Sequence, residues 1–113
     1  MTEAADKGKA AEEATAFALD MLGFRVIERN RKVGRLELDI VAERNGTTVA
    51  VEARAREAGS IMDGMESITD AKRGRVETAA RAVARGGDMR VLYASIVLRA
   101  GKVSEIEILD EGF

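Results

Sequence analysis

The sequence predicts an α/β fold, a mixed central sheet flanked by helices in the order αβββαββ. Three observations predict it. Two segments rich in helix-forming residues each run into glycine, five short stretches carry strand-like apolar patterning, and an Asn-Gly pair separates two of those stretches. Apolar sheet faces are buried most simply against helices. At 113 residues the chain has the length of one domain, taken here as 1–113.

Each element has its own justification. Residues 4–22 hold mostly good helix formers, and Gly23 stands where a helix C′ residue is expected. Phe24 to Asn30 then reads as a short strand. From Leu36 to Arg44 the pattern alternates, with Leu36, Leu38 and Ile40 on one face and Glu37 and Asp39 on the other. Asn45-Gly46 is the strongest short hairpin signal, and Thr47 to Arg54 is its second strand, with Val49, Val51 and Ala53 on one face. A loop with Gly59 and Gly64 leads to a second helix capped near Ser67 or Thr69. Val76, Ala79, Ala80, Val83 and Ala84 fall at helical spacing there, and Gly86-Gly87 stops it. Met89 to Leu98 is apolar enough for a central strand. Ala100-Gly101 turns the chain into Val103–Leu109, where Val103, Glu105, Glu107 and Leu109 alternate with Ser104, Ile106 and Ile108.

Composition removes whole classes of chemistry. With no cysteine and no histidine there is no disulfide, no thiol nucleophile, no ordinary zinc site and no histidine-based triad. Any catalysis must rest on carboxylates, on Lys and Arg, or on a bound hard cation. No apolar run approaches the roughly 20 residues that span a bilayer, which makes the cytoplasm the expected location and a membrane an unexpected partner. The net charge is −2, but its distribution is uneven. Arg25, Arg29, Arg31, Lys32 and Arg35 cluster against Glu28 alone, and Lys72, Arg73, Arg75, Arg81 and Arg85 against Glu77 alone. Such segregation is either a basic face or ordinary solvated charge. Aromatic residues make up only 4% of the chain, too few for a base-stacking platform.

The Asn-Gly turn brings carboxylates together. If Asn45 and Gly46 are the loop, Arg44 faces Thr47, Asp39 lies across from Glu52 and Glu37 across from Arg54, all on one face. Directly opposed side chains have Cβ atoms about 4.5–5.5 Å apart, and like charges so placed repel. Two readings follow. Either the face is solvated and Glu37 pairs with Arg54, or a cation such as Mg²⁺ sits between Asp39 and Glu52.

Read together, the segments resemble the YraN-like family, relatives of archaeal Holliday-junction resolvases with the restriction-endonuclease-like fold. The residues that carry the resemblance are Gly8 to Glu12, Gly23-Phe24-Arg25-Val26, Arg29-Asn30-Arg31, Glu37-Leu38-Asp39-Ile40-Val41, Val51-Glu52-Ala53-Arg54-Ala55-Arg56, Lys72-Arg73 and the closing Ile106 to Phe113. Their order and spacing are more specific than any single one of them. The resemblance implies a nuclease-type site, with Asp39 and Glu52 holding Mg²⁺ (Mn²⁺ as the alternative) and Glu12 approaching from the first helix. It also implies a lysine where this chain has Arg54, and an aspartate in the fourth strand where this chain has Val91-Leu92-Tyr93. Arginine keeps the charge and can steady a phosphate, but it cannot give up its proton. The helical wheel leaves Glu12 open: it shares a row with Thr15, Ala16 and Leu19, while Phe17 and Met21 mark another apolar face.

The leading expectation is therefore a metal-dependent endonuclease on structured or branched DNA. Asp39, Glu52, Arg54 and Glu12 form its site, and Arg31, Lys32, Arg35, Arg56, Lys72 and Arg73 meet phosphates, which position a duplex without reading its sequence. Arg31, Lys32 and Arg35 are expected in the connection that feeds the Asp39 strand. A homodimer is an open expectation, with Ile61-Met62 as interface or core. The alternatives are a DNA-binding module of the same fold that has lost the chemistry, and a protein-interaction domain with an acidic face.

Overall fold

The computed structural model describes residues 3–59 and 69–110, so Ser60, Ile61-Met62, Gly64, Ser67 and the closing three residues lie outside it. Its elements are α1 (Glu3–Met21), β1 (Arg25–Val33), β2 (Leu36–Arg44), β3 (Thr47–Glu57), α2 (Asp70–Ala84), β4 (Met89–Arg99) and β5 (Lys102–Asp110). The order is αβββαββ, as the sequence predicts, and the arrangement is compatible with the restriction-endonuclease-like fold. The sheet runs β1-β2-β3-β4-β5 with every neighbouring pair antiparallel except β3 and β4. A parallel pair needs a crossover, and α2 provides it.

Local chemistry sets the boundaries. Gly23, at φ +91°, closes α1 with the two bonds of a Schellman motif: Phe24 N–H donates to Leu19 O at 2.9 Å and Gly23 N–H to Asp20 O at 3.1 Å. Asn45 and Gly46 both have positive φ, 50° and 81°, as a two-residue type I′ hairpin turn requires. Arg44 accordingly faces Thr47, and the register runs back to Ile40 opposite Val51. Thr69 caps α2, its hydroxyl accepting from Lys72 N–H at 3.1 Å. At the other end Arg85, rather than a glycine, takes the first left-handed position, at φ 51°.

The two helices cover opposite faces of the sheet. Ala11, Ala16 and Leu19 of α1 pack with Ile40, Ala42, Val49, Val51, Leu92, Ala94, Ile96 and Leu98. Val76, Ala79 and Ala80 of α2 pack with Leu38, Val41 and Ala50. Phe17 and Met21 are 68% and 73% exposed, so the second apolar row of α1 is not core. The buried row is the one that carries Glu12.

Three expectations need correction. β1 runs on to Val33, so Arg31 and Lys32 lie within a strand and only Gly34-Arg35 connects it to β2. β5 alternates only in part: Ile106 and Ile108 share the α1 side as expected, but the register with β4 slips between Val97 and Leu98, and Val103 and Ile106 stay exposed. The third correction bears on the site. Leu36 and Leu38 face α2 whereas Ile40 and Ala42 face α1, so β2 changes phase at Asp39. Asn30, opposite Asp39, has φ 53°, and this pair drops out of a β1–β2 register that is constant from Glu28 to Val33, beyond a bulge between Val26 and Glu28. Asparagine tolerates the left-handed region better than most residues, which lets the chain make the step there.

Candidate metal and phosphodiester site

At that step β2 and β3 part. Their ladder ends at Ile40–Val51, and side chains replace the missing backbone bonds. Asp39 N–H donates to Glu52 Oε1 at 3.3 Å, and Ala53 N–H donates to Asp39 Oδ2 at 2.9 Å. Each carboxylate thus binds the backbone of the opposite strand, and the two acids are held together by crossed hydrogen bonds. The expected closeness of Asp39 and Glu52 is found, but through a broken ladder and not through a regular cross-strand pair.

Among the described residues Glu52 is the one buried carboxylate, at 1% exposure. Burial pushes its carboxyl up to about 7, and the charge of Asp39 pushes in the same direction; the hydrogen bond from Asp39 N–H and the charge of Lys72 oppose them. A buried carboxylate facing another acid is costly unless something compensates it. Glu12 stands on the α1 side. Asn30 Nδ2 donates to its Oε1 at 3.3 Å, and its carboxyl is raised first by burial, then by Asp39. The left-handed Asn30 therefore links the phase step to the first helix, and the helical-wheel ambiguity of Glu12 resolves toward the site.

The expected Glu37–Arg54 pair is not formed. Glu37 stands opposite Lys32 of β1, and Arg54 Nη1 donates to the carbonyl of Ala53 at 3.1 Å. The four side chains do not share a face, because the phase step intervenes between Glu37 and Ile40. Among the expected phosphate contacts, Arg31 is held by Glu28 through two bonds of 2.8 and 2.7 Å, which largely neutralises it. Lys32 and Arg35 are exposed, and Arg35 lines a groove with Arg75 on the α2 side. Arg56 has a buried Nε with no hydrogen-bond partner among the described residues.

Lys72 and Arg73 belong to the site's surroundings in a way their sequence positions did not indicate. Val76, one turn beyond Lys72, packs with Ala50, and Glu52 follows Ala50 on that same face of β3. Arg73 lies over the ring of Tyr93 at 5.3 Å, and Tyr93 is the β4 partner of Glu52. Tyr93 is itself buried, and beside it opens a cavity of about 410 Å³ lined by Arg73, Glu77, Arg81 and Arg90. Sequence reasoning missed Tyr93 as a site neighbour. The parallel register supplies that signal, and it is invisible until β3 and β4 are paired.

Among the described residues no set of three or more acidic side chains is gathered to hold a metal ion. The donor set is two carboxylates, all oxygen. That suits Mg²⁺, which takes one or two carboxylates and completes its shell with water and phosphate oxygens.

Comparison with known proteins places the chain. The family model described as "Uncharacterised protein family UPF0102" matches residues 11–103. The chain belongs to the UPF0102 family. UPF0102 is the YraN-like group, so the resemblance read from the sequence holds. The UPF0102 protein sce2912 of Sorangium cellulosum is 41% identical over 115 aligned positions, covering 94% of this chain and 79% of the relative. A UPF0102 protein of Oleidesulfovibrio alaskensis is 40% identical over 82, covering 73% of this chain but only 41% of the relative. UPF0102 protein NE0719 of Nitrosomonas europaea aligns along 100% of this chain and 98% of its own, at 29% identity. No described helix of this UPF0102 chain is long and apolar enough to cross a membrane.

Proposed function

We propose that this UPF0102 protein is a metal-dependent endonuclease that hydrolyses phosphodiesters in structured or branched DNA. The observation that carries the reading is the crossed pair of Asp39 and Glu52, with Glu52 buried at a point where the sheet gives up two backbone bonds to hold the acids together. Burying an acid beside a second acid costs stability, which supports reading the pair as a functional site.

Asp39 and Glu52 would hold Mg²⁺ or Mn²⁺. When bound, the cation polarises a phosphate oxygen and lowers the pKa of a coordinated water. Ala53 N–H and Asp39 N–H orient the two carboxylates. Glu12, raised above its ordinary value and anchored by Asn30, stands on the α1 side to accept a proton from water. Arg73, Arg56 and Arg35 lie on the α2 side, where phosphates flanking the scissile one would pass.

The test is a cleavage assay with Mg²⁺ or Mn²⁺ on labelled four-way junction, flap, linear duplex and single-stranded DNA. Metal-dependent cutting is expected on a branched substrate, with a loss of at least about 100-fold in Asp39→Ala and an unchanged circular dichroism spectrum. Cutting that persists in a pure Asp39→Ala preparation overturns the assignment.

The turn of Arg54 toward Ala53 O favours a second reading, a DNA-binding module without catalysis. Binding of junction DNA without cutting, together with cutting gained in Arg54→Lys, identifies that case.

A further inference from the structure

Under the nuclease reading the site needs a cation on the protein to meet the phosphate, and the strand position expected to supply one does not. Arg54 follows Glu52 on the same face of β3, but its guanidinium donates to the carbonyl of its own neighbour, Ala53, at 3.1 Å. We propose that Lys72, reaching down from the first turn of α2, is the cation of the Asp39–Glu52 site.

Three constraints place it there. Thr69 caps the helix and takes Lys72 N–H at 3.1 Å, which fixes where the first turn begins. Val76, on the same helical row one turn on, is fully buried against Ala50. Because α2 crosses between two parallel strands it runs against β3, so one turn back along the helix corresponds to a step forward along the strand, from Ala50 to Glu52. The neighbouring row gives the same answer independently, since Arg73 lies over Tyr93 and Tyr93 is the β4 partner of Glu52. Lys72 is half-buried, so part of its side chain packs against the protein.

The assignment moves the positive charge from strand to helix while keeping it at the carboxylate pair. A lysine is the better group for the purpose. It is a compact ammonium on a flexible stem, able to meet a phosphate oxygen or an attacking water, whereas an arginine at position 54 is bulky and bonded elsewhere.

Two measurements on the full-length chain separate this proposal from the nuclease reading on which it rests. The first is a double-mutant cycle in thermal melting at pH 8 without metal. The Tm change of Lys72→Met plus Glu52→Gln is expected to differ from the sum of the single changes by about 4 °C or more, while Arg54→Met and Glu52→Gln add. Additivity of Lys72 with Glu52 overturns the proposal whether or not the protein cuts DNA. The second is cleavage of a four-way junction in Mg²⁺, with junction affinity measured separately in Ca²⁺. Lys72→Met is expected to lower kcat about 100-fold or more with affinity within about threefold, and Lys72→Arg to restore part of the rate; Arg54→Met loses less than about tenfold. If Arg54→Met abolishes cutting and Lys72→Met does not, the proposal is wrong. If the wild-type chain cuts nothing, the nuclease reading fails, and the melting cycle alone decides whether Lys72 is the cation of the acidic pair.

Discussion

Glu52 concentrates the cost of the site in one side chain. Its carboxyl binds a proton more tightly in the folded chain, at about 7, than at its ordinary 4.5. Between those values the folded state holds more protons than the unfolded one, so stability falls as pH rises from about 4.5 to 7 and stays low above that. The isosteric Glu52→Gln keeps an oxygen for Asp39 N–H and carries no charge at any pH. It is expected to be more stable than the parent by about 2–3 kcal/mol at pH 8 and nearly equal to it at pH 4.5, as read by urea denaturation at the two values. Adding Mg²⁺ at pH 8 is expected to raise the Tm of the parent and to leave Glu52→Gln largely unmoved, since a ligand stabilises only the state that binds it. A parent whose stability does not change across this window would mean that Glu52 is not held as the geometry has it.

Much of the element-scale structure is legible in the sequence because it depends on near neighbours. Gly23 and Asn45-Gly46 report positive φ, Thr69 reports a cap, and the apolar row of α2 reports its buried face, whereas α1 carries two apolar rows of which only packing picks the buried one. Asp39 and Glu52 were found as a pair because the I′ turn sets the register as far as Ile40–Val51, and the two acids are the next residues on each strand. The phase step at Asp39 was not legible. Leu36, Leu38 and Ile40 obey a period of two along the chain, and only packing against two different helices separates Leu38 from Ile40. The partners of Arg54, Arg31 and Lys72 were hidden for a related reason: none follows from the alternation of a strand or the spacing of a helix. Arg54 turns to the backbone beside it, Arg31 to Glu28 three residues back past the left-handed Asn30, and Lys72 to β3 through the crossover.

For the whole molecule, charge must be read by face and not by sum. The chain carries −2 overall, yet Arg35, Arg56, Lys72, Arg73 and Arg75 sit on the side of the sheet covered by α2 or at its rim. Junction DNA is therefore expected to bind despite the acidic pI, with log K falling steeply as log salt rises. Replacing both Arg35 and Arg75 by Ala should lower that slope by about 2, measured by fluorescence anisotropy between 50 and 200 mM salt; an unchanged slope would place the DNA elsewhere. The step in β2 has a consequence for how such a site is acquired and lost. With Asn30 and Asp39 struck out of the chain together, Leu36, Leu38, Val41, Ile40 and Ala42 keep their present faces, and the β1–β2 pairing runs unbroken from Glu28 to Val33, with only the bulge between Val26 and Glu28 left in it. The two residues are thus a single extra rung inserted into a sheet that is complete without it. Their joint deletion should yield a protein that melts no lower than its parent and no longer responds to Mg²⁺, a scaffold with its faces intact and its acidic pair gone.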